Sequence, residues 1–117
     1  MSAIEKATAQ FRERLNGELG SIHVPEWSEK DKPFIIYFKP LINFKSQEKI
    51  YALVNAGKAS EAICQTLIIR ALDEDGKQIF QTHDKESLMR ESDPDVVGRI
   101  IQAMIPDVED EEMLKKS

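Results

Sequence analysis

The sequence predicts a small, mainly helical α+β single domain with a two- or three-stranded antiparallel sheet, a helical hairpin and a C-terminal helix. Apolar residues recur at helical spacing through residues 59–72 and 94–105, which indicates amphipathic helices. The run at residues 34–38 is β-branched and aromatic and lies between two prolines, which is typical of a strand. A chain of 117 residues has room for one such domain.

The N-terminal part is predicted to contain a helix and two paired strands. Residues 3–16 have a narrow apolar stripe at helical spacing, and Gly17 is the expected end of this helix. The stripe either crosses the edge of the body or docks on a partner. Residues 21–24 predict a short strand that pairs with the strand at 34–38, after a charged loop.

The second strand is apolar on both faces. Because side chains alternate along a strand, Phe34, Ile36 and Phe38 share one face. Ile35 and Tyr37 share the other. Such a strand is either central in a covered sheet or has one face that binds a partner, and the sequence leaves both alternatives open.

A helical hairpin is predicted next. Ser46 is the expected N-cap of its first helix, which ends at Gly57. The second helix begins at Ala59, and the short link implies that the two helices are antiparallel neighbours. The residues predicted to face inward are Ile50, Leu53 and Val54 in the first helix, and the rows Ile63-Leu67-Ala71 and Cys64-Ile68-Leu72 in the second.

Turns and two further helices complete the domain. An acidic turn at residues 73–76 should reverse the chain, and Ile79-Phe80 is expected to be briefly extended. Asp84 is the expected cap of a short helix, and Asp93-Pro94 begins the last one. We expect this last helix to pack against the helix at 59–72 through Val96, Val97, Ile100, Ile101, Met104 and Ile105.

The charge distribution separates the chain into three parts. The net charge is −5, and residues 106–117 hold five acids and two lysines, a net of −3. We therefore expect an N-terminal helix at residues 1–19, a core at residues 20–105 and a disordered acidic tail at residues 106–117.

Composition argues against several classes of partner. The Lys and Arg residues are scattered among acids, so no basic stripe favours nucleic-acid binding. No apolar run is long enough for a membrane span, and the first residues lack the order of a signal peptide. The single Cys64 lies on an apolar helix face, which predicts a core residue rather than a reactive thiol. We expect the protein to stay in the cytoplasm.

No residue set predicts a catalytic, metal or cofactor site. The acidic turn lacks the first and last ligands of a calcium loop, because Ala71 and Thr82 occupy those positions. His23 and His83 have no Cys or Glu at ligand spacing, and no nucleophile is paired with a base. We therefore expect a protein that is not an enzyme, holds no cofactor and acts by binding other proteins.

The order of features resembles a known family. Glu26-Trp27 lies near a two-strand unit, a helical hairpin follows, and an apolar helix leads into the motif Asp-Glu-Asp-Gly-Lys-x-x-Phe at residues 73–80. A short helix and a final apolar helix near Ile100-Ile101 come next. Over about residues 20–105 this order resembles the tail assembly chaperones of long-tailed, siphovirus-type bacteriophages and prophages.

The resemblance implies a function in the host bacterial cytoplasm. A protein of this family binds the long, helix-rich tape measure protein, keeps it soluble, helps recruit the tail tube protein and is absent from the finished particle. The family also implies a frameshifted long form, and Lys115-Lys116 fits an A-rich slippery run. A permanent structural subunit of a phage tail or other assembly, an acidic decoy of a nucleic-acid-binding protein, and a homo-oligomer remain open alternatives.

Four residues are the candidate partner-binding residues: Trp27, Ile35, Tyr37 and Phe80. Trp27 either anchors a partner or fixes its own loop to the core. Ile35 and Tyr37 form the second apolar strand face, and Phe80 is the last residue of the acidic-turn motif.

Overall fold

The structure is a computed structural model that describes residues 2–39 and 41–105. It has the predicted architecture, an α+β domain that is mainly helical and contains a two-stranded antiparallel sheet. The elements in chain order are α1 (Ala3–Leu15), β1 (Gly20–His23), β2 (Ile35–Phe38), α2 (Phe44–Asn55), α3 (Ala59–Arg70), α4 (Lys85–Glu91) and α5 (Pro94–Met104).

The sheet confirms the predicted pairing of the two strands. Its register runs from Gly20 opposite Phe38 to His23 opposite Ile35. The ring of Phe38 lies over Gly20, where an added Cβ would come within 2.3 Å of the ring Cζ, so a side chain here would displace the ring. Leu72 extends the sheet by one pair: it exchanges two backbone hydrogen bonds with Tyr37, at N···O distances of 2.8 and 2.9 Å.

The core forms where α3 and α5 pack against the inner face of the sheet. The predicted contact between these two helices is confirmed, since Leu67 and Ile68 of α3 join Ile100 and Met104 of α5 in one buried cluster. Ile36 of β2 is fully buried in the same cluster. The other buried members are Val24, Cys64, Ala71, Leu88, Val96 and Val97.

Two residues predicted to face inward are exposed. Ile63 is 42% exposed and Val54 is 52% exposed. Both residues lie four positions from a covered residue of the same helix face: Val54 follows the half-buried Ile50, and Ile63 precedes the fully buried Leu67. The two inward faces are therefore exposed near the adjoining ends of α2 and α3, where Val54 and Ile63 lie.

Three predictions, about α2, α3 and the segment after the acidic turn, are wrong. α2 begins at Phe44, because the Asn43 side chain caps it by accepting a hydrogen bond from the Ser46 N–H at 2.9 Å. α3 ends at Arg70, because Leu72 leaves the helix to pair with Tyr37. The extended pairing after the acidic turn lies at Gln78, not at Ile79-Phe80.

α1 lies on the surface of the body and has no fully buried residue. Of the predicted apolar stripe, Phe11 and Leu15 are half-buried, whereas Ile4 is 69% exposed and Ala7 is also exposed. The predicted acidic tail at 106–117 lies outside the described residues. In the described part of the chain, no helix combines the length and the apolar character that crossing a membrane requires.

Candidate partner-binding site

The acidic turn at residues 73–76 is stabilised by the side chain of Asp73. One oxygen of Asp73, Oδ1, accepts hydrogen bonds from the N–H groups of Asp75 and Lys77, both at 2.9 Å. Gly76 has a φ of +81°, which favours glycine. Within residues 2–39 and 41–105, no three His, Cys, Asp or Glu side chains come together as metal ligands would. The Asp73 hydrogen bonds and the conformation of Gly76 fit a turn that reverses the chain after α3.

The fold brings together Trp27 and Phe80, two of the four candidate residues. Their ring centroids lie 6.2 Å apart at an interplanar angle of 75°, and Phe34 stacks edge-on against Trp27 at 5.9 Å. Trp27 is half-buried and so contributes both to the core and to the surface. A groove of about 530 Å³ opens beside these rings, with Leu88 and Val96 along its apolar part and Glu91 and Asp93 among its polar lining.

An ion pair positions the segment that carries Trp27. The Arg99 guanidinium of α5 donates to both carboxylate oxygens of Glu26, at 2.8 and 2.6 Å. This hydrogen bonding lowers the pKa of Glu26 to about 2 and raises the pKa of Arg99. The Ser28 hydroxyl closes the loop by donating to the Val24 carbonyl at 2.9 Å and accepting from the Phe34 N–H at 2.8 Å.

Ile35 and Tyr37 lie on the other side of the sheet from Ile36. Ile36 is fully buried while Ile35 is 37% exposed, so one face of β2 is covered and the other is partly open. Tyr37 is half-buried, and the residues opposite this pair on β1, His23 and Ser21, are exposed. We call the Ile35–Tyr37 surface the outer sheet face. The four candidate residues thus form two separate pairs.

A larger apolar surface was not predicted from the sequence. Phe44 is 88% exposed, Tyr51 is 56% exposed, and both lie on one side of α2 because seven residues make about two turns. Phe44 borders a groove of about 410 Å³ between α1 and the start of α2, which also contains Phe11. The spacing of Phe44 and Tyr51 was a usable signal, but the helix was predicted to begin at Ser46, after Phe44.

A smaller cavity of about 110 Å³ lies where α3, α4 and α5 meet. Ile63 and Met89 line it and are 42% and 39% exposed. Cys64 lies at its buried side, and desolvation raises the pKa of this thiol, which makes it a poor nucleophile.

Comparisons with known proteins find a solved structure of similar fold. No protein-family model matches the sequence, and no curated protein sequence matches it. Among solved structures, the chain is similar to the tail assembly chaperone of bacteriophage HK97, with a TM-score of 0.56 and 15% sequence identity. The similarity covers 86% of this chain and 92% of that chain. At this identity the likeness is one of fold, and it confirms at that level the resemblance predicted from the sequence.

Proposed function

We propose that this chain is a phage tail assembly chaperone that binds the tape measure protein, keeps it soluble and promotes assembly of the tail tube. The observation that carries the proposal is the likeness of fold to the HK97 tail assembly chaperone, which extends over 86% of this chain. The order of motifs over residues 20–105 supports it independently of that comparison.

The surface of the domain is suited to this role. A long helical protein with apolar stripes aggregates unless those stripes are covered. The outer sheet face and the α2 side chains Phe44 and Tyr51 offer apolar surface for such contacts. A net charge of −5 favours solubility of the chain.

Within this proposal the outer sheet face contacts the tape measure protein. Ile35 and Tyr37 present apolar atoms there, and neither belongs to the buried cluster of the domain. The groove beside Trp27 and Phe80 is a second contact, where an apolar side chain of the partner enters between aromatic rings. Its acidic lining favours a partner helix with basic flanks.

Co-expression with the product of the very long, helix-rich reading frame expected immediately downstream tests the proposal. We expect this chain to raise the soluble fraction of that protein, and Ile35→Asp or Tyr37→Asp to lower it again. Gln102→Asp places the same charge on an exposed position of α5 and is the matched control. Circular dichroism of each variant checks that the fold is retained.

Equal solubility of the tape measure protein with and without this chain would contradict chaperoning. Loss of fold in the Ile35→Asp and Tyr37→Asp variants would instead place these residues in the core. The alternative, a permanent structural subunit, predicts that the chain stays in purified particles at a fixed ratio to the tube protein. The proposed chaperone is absent from them.

A further inference from the structure

The groove beside Trp27 has an apolar base and an acidic rim. Leu88 of α4 and Val96 of α5 line the base and are buried. Glu91 follows Leu88 by three residues, lines the same groove and is exposed. Asp93, the N-cap of α5, precedes Val96 by three residues and is exposed too. Because residues three apart on a helix are neighbours, about 5–6 Å apart, each acid lies about one helical turn from the base.

The charge of this groove is not balanced within the described chain. Among the described residues, no lysine, arginine or histidine lines it. Glu26, the third acid of the lining, is paired with Arg99. Glu91 forms no ion pair with a described residue, and Asp93 uses one oxygen to accept from the Asp95 N–H. The three acids and Arg99 leave a net charge of −2, which a basic partner would neutralise.

Glu91 lies where an acid destabilises its own helix. It is the last residue of α4, and the C-terminal end of a helix carries a partial negative charge. Its carboxylate also shares the groove with that of Asp93, and like charges repel. The stability of the fold would favour a neutral or basic residue here. A cation from outside the domain gives the Glu91 carboxylate a role that the fold does not give it.

The aromatic rings of the groove suit the same kind of ligand. Phe34 and Phe80 meet Trp27 edge-on, with centroid distances of 5.9 and 6.2 Å, and all three residues are half-buried. Aromatic rings attract the cation of lysine or arginine and also pack against its methylene groups. A basic side chain can therefore contact the rings through its methylene groups and the rim through its charged end.

We propose that a basic side chain of the partner, arginine or lysine, enters this groove and pairs with Glu91 and Asp93. It lies one helical turn from the apolar side chain that covers Leu88 and Val96. The segment that is recognised is thus a helix with an apolar and a basic residue three or four positions apart. This inference rests on the proposed function, in which the groove contacts the tape measure protein, and it specifies which side chains are recognised.

Titration with a helical probe peptide measures this recognition without the tape measure protein. The probe is a helix of alanine and glutamine that carries one leucine and one arginine four positions apart. Matched peptides carry glutamine or glutamate in place of the arginine. The indole N–H signal of Trp27, the single tryptophan, reports binding in the isotope-labelled full chain. We expect the arginine peptide to bind about tenfold more tightly than the glutamine peptide, and the glutamate peptide to bind most weakly.

Substitutions in the protein assign this preference to the two rim carboxylates. Glu91→Gln with Asp93→Asn removes both charges, and asparagine keeps the cap of α5. This double variant should bind the arginine and glutamine peptides about equally. Glu74→Gln with Asp75→Asn changes the net charge equally at exposed positions outside the groove, and this control should keep the preference. Glu91→Gln alone leaves the cap untouched and should reduce the preference without lowering the melting temperature.

Three results would overturn the proposal. One is equal affinity of the wild-type chain for the arginine and glutamine peptides. Another is an unchanged arginine preference in the Glu91→Gln variant, because the charge would then be recognised elsewhere. The third is a Trp27 signal that shifts with protein concentration in the absence of peptide, because the occupant would then be a second copy. Failure of the proposed function would be seen separately, as unchanged solubility of the tape measure protein in the co-expression experiment.

Discussion

Two neighbouring isoleucines of β2 give a direct measure of which sheet face belongs to the core. Ile36 is fully buried, whereas Ile35 is 37% exposed. Truncation of Ile36 to alanine removes three carbon atoms at about 0.8 kcal/mol each and leaves a closed cavity. We therefore expect Ile36→Ala to lower the free energy of unfolding by about 3–4 kcal/mol. Truncation of Ile35 opens onto solvent and should cost about 1.5 kcal/mol at most.

Urea denaturation measures both values. The single tryptophan, Trp27, packs against Phe34 and Phe80, so its fluorescence reports on the packed state, and far-UV circular dichroism reports on the helices. Each substitution should lower the urea concentration at the midpoint of unfolding, with little change in the dependence of the unfolding free energy on urea concentration. Equal losses for the two variants, or a larger loss for Ile35→Ala, would refute the orientation of β2 and with it the outer sheet face.

Three further predictions test local features. Arg99 lowers the native pKa of Glu26, so the stabilisation of the fold by this ion pair is complete above about pH 4.5 and is lost as the pH falls towards 2. The difference in the free energy of unfolding between wild type and Glu26→Gln should therefore vanish over that range. Gly76→Ala should lower the free energy of unfolding by about 1 kcal/mol, because alanine at a φ of +81° is strained, and Gly76→Asn should lower it less. Thermal unfolding measures both differences. Gly20→Ala should destabilise by about 1–3 kcal/mol, since its Cβ meets the Phe38 ring; an unchanged melting temperature would contradict this packing.

Much of the fold could be predicted from periodicity and capping residues. The last helix begins at Asp93-Pro94 as expected, because the Asp93 carboxylate accepts a hydrogen bond from the Asp95 N–H at 2.9 Å. At the end of α3 a long-range contact overrode local preference. Leu72 continues the apolar spacing of α3, yet its backbone pairs with Tyr37, which no local pattern reveals.

The site was predictable only in part. The alternation of β2 identified Ile35 and Tyr37 as one face, but not which face is buried, since both are apolar. Trp27 and Phe80 meet only because the turn after α3 returns the chain to the loop after β1.

Affinity capture of the tagged chain from cells that assemble the tail, followed by mass spectrometry, tests the central claim most directly. Tail intermediates and finished particles would be analysed separately. A transient chaperone predicts that the tape measure protein co-purifies with this chain before tail completion and that finished particles contain none of it. A chain that captures no tape measure protein at any stage, or that remains in finished particles, would contradict the proposed function.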